Sequence, residues 1–252
     1  MKKYTLKNNI EIFMSYIVFL IIWEVVALKI DNDIYLPTIG KVLMILCEII
    51  KTKSFYLNVS LTIVRSWISF IIACCGAVLI GSLSYLNSTF KNMIIPLNNI
   101  FQSIPTMILV VLILIWFDKE QAPFIIGISI VLPILYEAVL GALNNIDKNI
   151  IEMVYIYDIK LIEKIKKIYI PSIKMSLVPI LISTFSLVFK VVIAGEIYGQ
   201  PAYGIGTIIQ VEKINFNTAA IFAWIIVIGM ISILLNYMQK HIVKINYKWR
   251  KK

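Results

Sequence analysis

Apolar runs separated by short polar stretches divide the chain into six candidate membrane spans, at about residues 12–28, 62–86, 94–117, 121–146, 175–195 and 218–238. A helix that crosses a bilayer needs ~20 mainly apolar residues, with a working range of about 17–25. Residues 66–86, 92–117 and 218–238 carry no charged side chain, 121–146 carries only Glu137, and 175–195 carries only Lys190. The run at 12–28 is interrupted by Glu24. It is too long for a signal-peptide core, and no small-x-small site follows it, so it is expected to remain as a span. The pattern predicts an all-α polytopic membrane protein with six transmembrane helices in one domain covering 1–252. No repeat or Gly/Ser-rich linker divides it.

Composition agrees. The chain is 60% hydrophobic and 15% charged, with a mean hydropathy of +0.88, against about 45–50% apolar and about 25% charged in soluble domains. The net charge of +10 does not point to nucleic acid, because the basic residues gather beside apolar runs and at the two ends. Orientation signals and lipid-headgroup contacts are distributed in this way. Cys47 and the adjacent Cys74 and Cys75 offer neither a disulfide framework nor metal-ligand spacing. The single histidine, His241, stands in the basic tail with no acidic or cysteine cluster nearby, so no metal site is expected.

Lysine and arginine bias sets the orientation. With the N-terminus cytoplasmic, sixteen basic residues fall inside and six outside. Both termini are therefore expected in the cytoplasm, together with the connection between the fourth and fifth spans. That connection, residues 148–173, is unusually charged. Apolar residues recur at Ile151, Val154, Leu161, Ile162, Ile165 and Ile168 with i, i+3, i+4 spacing, and lysines fill the other face. Asp158 falls between the two short helical patterns and suits a turn or a helix N-cap. Pro171 is expected to close the second helix. Helices this short need another surface to cover them: headgroups, span ends or a partner protein.

Glu152-Met153-Val154, then Asp158, then Ile168-Tyr169-Ile170-Pro171 resembles the E-A-A, three residues, G, nine residues, I-x-L-P signature of ABC importer permeases. Met153 and Val154 replace alanines, and Asp158 stands where the family keeps glycine. The competing stretch Glu137-Ala138-Val139-Leu140-Gly141 fails the spacing, since Ile156 occupies its proline position. Further segments resemble the nitrate/sulfonate/taurine and thiamine-precursor type. They are Leu36-Pro37-Thr38; Asn58-Val59-Ser60-Leu61 through Arg65; Ile104-Pro105 with Ile115-Trp116-Phe117; Phe189-Lys190 through Glu196; and Gly204-Ile205-Gly206.

The resemblance implies a permease fold of the type I importer kind in a bacterial-type cell (inner) membrane. It implies two permease copies, separate ABC ATPase subunits and an extracytoplasmic solute-binding protein. It also implies an ATPase-coupling motif at Glu152, Asp158, Leu161, Ile162, Ile165, Ile168 and Pro171. No catalytic residue is expected in this chain, and no cofactor. ATP and magnesium would be held by the ATPase partner, since no G-x-x-x-x-G-K-[ST] loop is present. The solute is expected to be small and anionic or polar: a sulfonate, taurine, nitrate or a pyrimidine precursor of thiamine.

Charges at membrane depth mark a path or gate by default. Arg65, Lys190, Glu196, Gly204 and Gly206 are the candidates here, with Arg65 snorkelling, meeting an anion or forming an ion pair that shapes the outer gate, and Lys190 snorkelling or pairing with Glu196. Glu24 and Glu137 are expected to answer basic residues or to sit at headgroup level. An ion-gradient-driven secondary transporter or channel is the alternative, and it would lack the cytoplasmic docking element. An integral-membrane enzyme would need clustered catalytic groups, and the acids here are scattered.

Overall fold

The computed structural model describes the backbone of residues 2–246 and the side chains of residues 11–235, 237 and 238. Terminal basic residues used for orientation, namely Lys2, Lys3, Lys7 and those from Lys240 onward, lie outside the described side chains, as does His241. The described residues form helices α1 (Lys2–Ile30), α2 (Ile39–Lys51), α3 (Lys53–Leu86), α4 (Ser88–Ser103), α5 (Thr106–Trp116) and α6 (Ala122–Asn144). They continue with α7 (Lys148–Ile156), α8 (Leu161–Lys164), a π-helical turn (Ile165–Tyr169), α9 (Ile170–Gly199), α10 (Ile205–Ile214) and α11 (Thr218–Asn246).

Three long helices make the centre. α6 packs between α3 and α9, burying Phe70, Ala73 and Ala77 against Val131, Leu135, Tyr136 and Val139, with Val188 and Val192 from α9. Small residues let the backbones approach: a Cβ at Gly81 would stand 2.7 Å from Val139, and one at Gly127 would stand 2.9 Å from Ser69. In lipid, where the apolar effect gives no drive between helices, such close packing is what holds them together. A second cluster joins α2, α9, α10 and α11 through Val42, Leu46, Phe189, Ile205 and Trp224.

Among the described residues five helices are long and apolar enough to span, and a sixth span exists if a bent pair is taken as one. That pair corrects the third expected span: 94–117 is not one helix but α4 and α5, bent by 106°. The cause is Pro105, which donates no backbone hydrogen bond and holds Ile104 in an extended conformation, with φ −72° and ψ 126°. The first span follows expectation as a helix, and it lies largely exposed beside the bundle. It is anchored at its end. Trp23 Nε1 donates to the Pro37 carbonyl at 2.9 Å, and Glu24 Oε2 accepts the Ile39 N–H at 2.9 Å. Glu24 therefore meets the N-terminus of α2, where a carboxylate is favoured, and not a basic residue.

Candidate functional site

The charged connection begins with Asp147, whose carboxylate caps α7 by accepting the Asn149 N–H at 2.9 Å. Asp158 is a turn residue and not an N-cap. Its φ is +44°, in the left-handed region. The Asp158 N–H donates to Tyr155 O and the Ile159 N–H donates to Val154 O, the paired bonds of a Schellman helix end. Glycine is the ordinary residue there, so the turn that the family spacing implies is built with the strained substitute. Val154 is buried beneath it, and Ile151, Val154, Tyr155, Asp158, Ile159 and Lys164 line a groove of ≈ 460 Å³.

Beyond the turn, the expectation of a second helix closed by Pro171 is corrected. The chain runs without a break from Leu161 to Gly199. Pro171 sits in the first turn of α9, directly after the π turn, where the Ile170 N–H reaches back to Ile165 O. The widened turn accommodates a residue with no N–H to give. The second short helix of the connection is thus the projecting tip of the fifth span. Leu161 and Ile162 are 63% and 66% exposed there, with Tyr155, Ile156 and Tyr157 exposed across the turn. Glu152, Asp158, Ile165 and Pro171 are also exposed, whereas Ile168 turns inward and packs on the central core.

About 45 Å away, at the other end of the 30-residue α9, lies a buried polar cluster. Glu196 is fully buried and accepts from Arg65 Nη1 at 2.9 Å, from Gly206 N at 3.0 Å and from the Thr62 hydroxyl, which lies 2.8 Å from Oε2. Arg65 also donates to the Tyr203 carbonyl and, through Nη2, to Glu120 at 3.0 Å. Glu120 Oε1 in turn accepts from Ala202 N. The first turn of α10 is held by the same side chains: Gly204 N donates to Asn58 Oδ1 at 2.7 Å and Ile205 N to Thr62 Oγ1 at 2.9 Å. The Gly204, Ile205 and Gly206 amides of that helix start thereby each find a side-chain acceptor.

Glycine is required here by space. A Cβ at Gly204 would stand 2.5 Å from the Glu196 carboxyl carbon, and one at Gly206 would stand 2.3 Å from the Ile193 carbonyl oxygen. Of the five candidates for a path or gate, four converge: Arg65, Glu196, Gly204 and Gly206. Lys190 does not join them. Arg65 takes the partner considered for Lys190, which is exposed on another face of α9. Nor does Arg65 snorkel: it is 5% exposed, and its charge is answered by two carboxylates. Asn58, Thr62 and Glu120 complete the cluster. Thr62 and Asn58 lie one and two turns before Arg65 on α3, a spacing that puts them on its face of the helix. Nothing in the local sequence marks Glu120. Among the described residues no three His, Cys, Asp or Glu side chains gather as a metal site.

The bundle thus carries a locked polar cluster at one end of α9 and an exposed elbow, formed by α7 and α8, at the other. The chain belongs to the family of binding-protein-dependent transport system inner membrane components, whose model matches residues 73–244. It is 26% identical over 237 residues to a Methanocaldococcus jannaschii protein named as an ABC transporter permease, covering 92% of this chain and 88% of that one. It is 19% identical over 236 residues to a Bacillus subtilis protein named as an aliphatic sulfonates transport permease, covering 92% and 85%. The fold matches a chain of the MetNI methionine ABC transporter in an inward-facing conformation. The TM-score is 0.64 and the identity 20%, over 75% of this chain and 95% of that one.

Proposed function

We propose that the chain is the permease of an ATP-driven importer in the cell (inner) membrane, with both termini and the α7–α8 elbow cytoplasmic. Two copies pair to enclose the path. ABC ATPase subunits seat on the elbows, and an extracytoplasmic binding protein delivers a small polar or anionic solute to the opposite face. ATP and magnesium stay with the ATPase, and this chain carries no cofactor. The relative named as an aliphatic sulfonates permease supports a sulfonate solute, while taurine, nitrate and a thiamine precursor rest on the resemblance of the sequence segments alone.

The observation that carries this reading is the elbow itself. Leu161 and Ile162 are exposed beside Lys160 and Lys164, on a rigid tip continuous with a spanning helix. Apolar anchors inside a charged rim suit a protein groove better than lipid. In the path-or-gate set, the Arg65–Glu196 cluster with Gly204 and Gly206 serves as the outer closure, and Lys190 as a path residue.

The test is co-purification. Leu161→Glu with Ile162→Glu places two carboxylates on the tip without touching a packed residue. The expected result is normal membrane insertion with ATPase recovery cut at least tenfold, as losing about 1.4 kcal/mol of docking energy or more would give. Undiminished recovery would remove the elbow as the docking element.

A further inference from the structure

Glu137 and Lys190 are the ionised side chains at span depth that the fold leaves exposed and without an ion pair among the described residues. Glu24 caps α2, and Arg65 and Glu196 answer each other. Charge facing hydrocarbon is costly, so such residues face water or a partner. Glu137 lies seven residues from the end of α6, about 10 Å in from it at 1.5 Å per residue. It lines a cleft of ≈ 450 Å³ between α6 and α9, with Gly141, Asn145, Ser172 and Ser176 among the lining residues. Buried Asn98 of α4 donates to Glu137 Oε1 at 3.1 Å, fixing the carboxylate at the cleft wall. On α9, Ser172 and Lys190 are eighteen residues apart, five turns at 3.6 residues per turn, so they share one face. That face bears a cleft with a fixed negative charge toward the elbow and a positive charge some 25 Å further on.

We infer that the α6–α9 cleft is the elbow-side mouth of the solute path, and that Glu137 makes it select solutes bearing a protonated amine. Lys190 stands too far along to be met by the same small solute at the same time, so the selection rests on Glu137, and the class favoured is an amine-bearing solute, an amino-sulfonate or amino-carboxylate, over a simple anion such as nitrate or an alkanesulfonate. This rests on the permease reading and narrows its solute. Arg65, the other cation that an anion path could use, is occupied by Glu196 and Glu120.

The test uses charged thiol reagents on the assembled transporter in membranes. Cys47, Cys74 and Cys75 are replaced by alanine, and one cysteine is introduced as Ser176→Cys. Ile233→Cys on the exposed apolar face of α11 is the lipid-facing control. Ser176→Cys is expected to react while Ile233→Cys does not. A cationic methanethiosulfonate should react roughly fivefold or more faster than an anionic one of equal size, because the Glu137 carboxylate lining the same cleft attracts one and repels the other. Glu137→Gln should bring the two rates together, and Glu137→Lys should reverse their order. In uptake, Glu137→Gln should depress an amino-sulfonate several-fold more than the corresponding alkanesulfonate.

No reaction at Ser176→Cys, or equal rates that Glu137→Gln leaves unchanged, would overturn the inference. So would equal loss of both solutes on uptake. Failure of ATPase co-purification would instead strike the permease reading, and the reagent rates do not depend on it.

Discussion

Arg65 tests whether the buried cluster is a lock or a decoration. Glu196 has no access to solvent, and three donors meet it: Arg65 Nη1, the Thr62 hydroxyl and the Gly206 N–H. Arg65→Met removes the only full positive charge and leaves the carboxylate with two neutral donors. Truncating one partner of a buried pair costs about 3–5 kcal/mol, because the other charge is left uncompensated. Glu120→Gln removes the outer partner, which is 48% exposed at its side chain, and a half-solvated pair contributes under about 1 kcal/mol. Arg65→Met with Glu196→Met replaces both charges by apolar groups, and is expected to be more stable than Arg65→Met alone although two side chains are lost. The assay is equilibrium unfolding in mixed micelles by titration with SDS, followed by tryptophan fluorescence. If Arg65→Met costs no more than Glu120→Gln, or if the double variant falls by the sum of the two single ones, the pairing contributes nothing specific and the lock is refuted.

Three further outcomes follow from local geometry. Asp158→Gly should raise stability in the same titration by about 0.5–1 kcal/mol, because φ +44° suits glycine and costs an L side chain; Asp158→Val should lower it. Gly206→Ala should destabilise by ~2 kcal/mol or more, since the new Cβ meets the Ile193 carbonyl at 2.3 Å and backbone cannot step aside as a side chain can. Protease cleavage between α9 and α10 should report α10 lifting away. Glu24→Ala should release the start of α2 at a cost of about 0.5–2 kcal/mol, the usual cost of a lost cap. Hydrogen exchange confined to the Ile39 region would show it.

The spans were legible because bilayer thickness imposes one length on every apolar run, whatever the fold. The break at Ile104–Pro105 was not read from the sequence: hydropathy averages across it, and Pro96, Pro133 and Pro179 stand inside helices that continue, so a proline in an apolar run does not by itself mark a break. Pro171 misleads in the opposite direction. A proline ends a helix only where its missing N–H and its ring cannot be absorbed, and the π turn at Ile165–Tyr169 absorbs both. No periodicity in the sequence announces that turn. Asp158 was readable as a turn because its position within the spacing was known, and its backbone angle shows the family's glycine geometry kept without the glycine.

The polar cluster was half legible. A charge inside an apolar run requires a partner, and Arg65 could be singled out on that ground; Glu196, just past the end of the fifth run, was singled out by the family resemblance. Which cation meets Glu196 could not be decided, because the choice depends on helix rotation. Arg65 faces α9 across the bundle, 131 residues away in sequence, while Lys190 sits six positions before Glu196 on the same helix. Six residues turn a helix through about 600°, which leaves the two side chains roughly 120° apart around the axis. Lys190 and Glu196 therefore cannot share a face, whatever the tertiary fold. That constraint was present in the spacing: once α9 is continuous through both residues, Glu196 must find its cation on another helix, and Lys190 must face something other than Glu196.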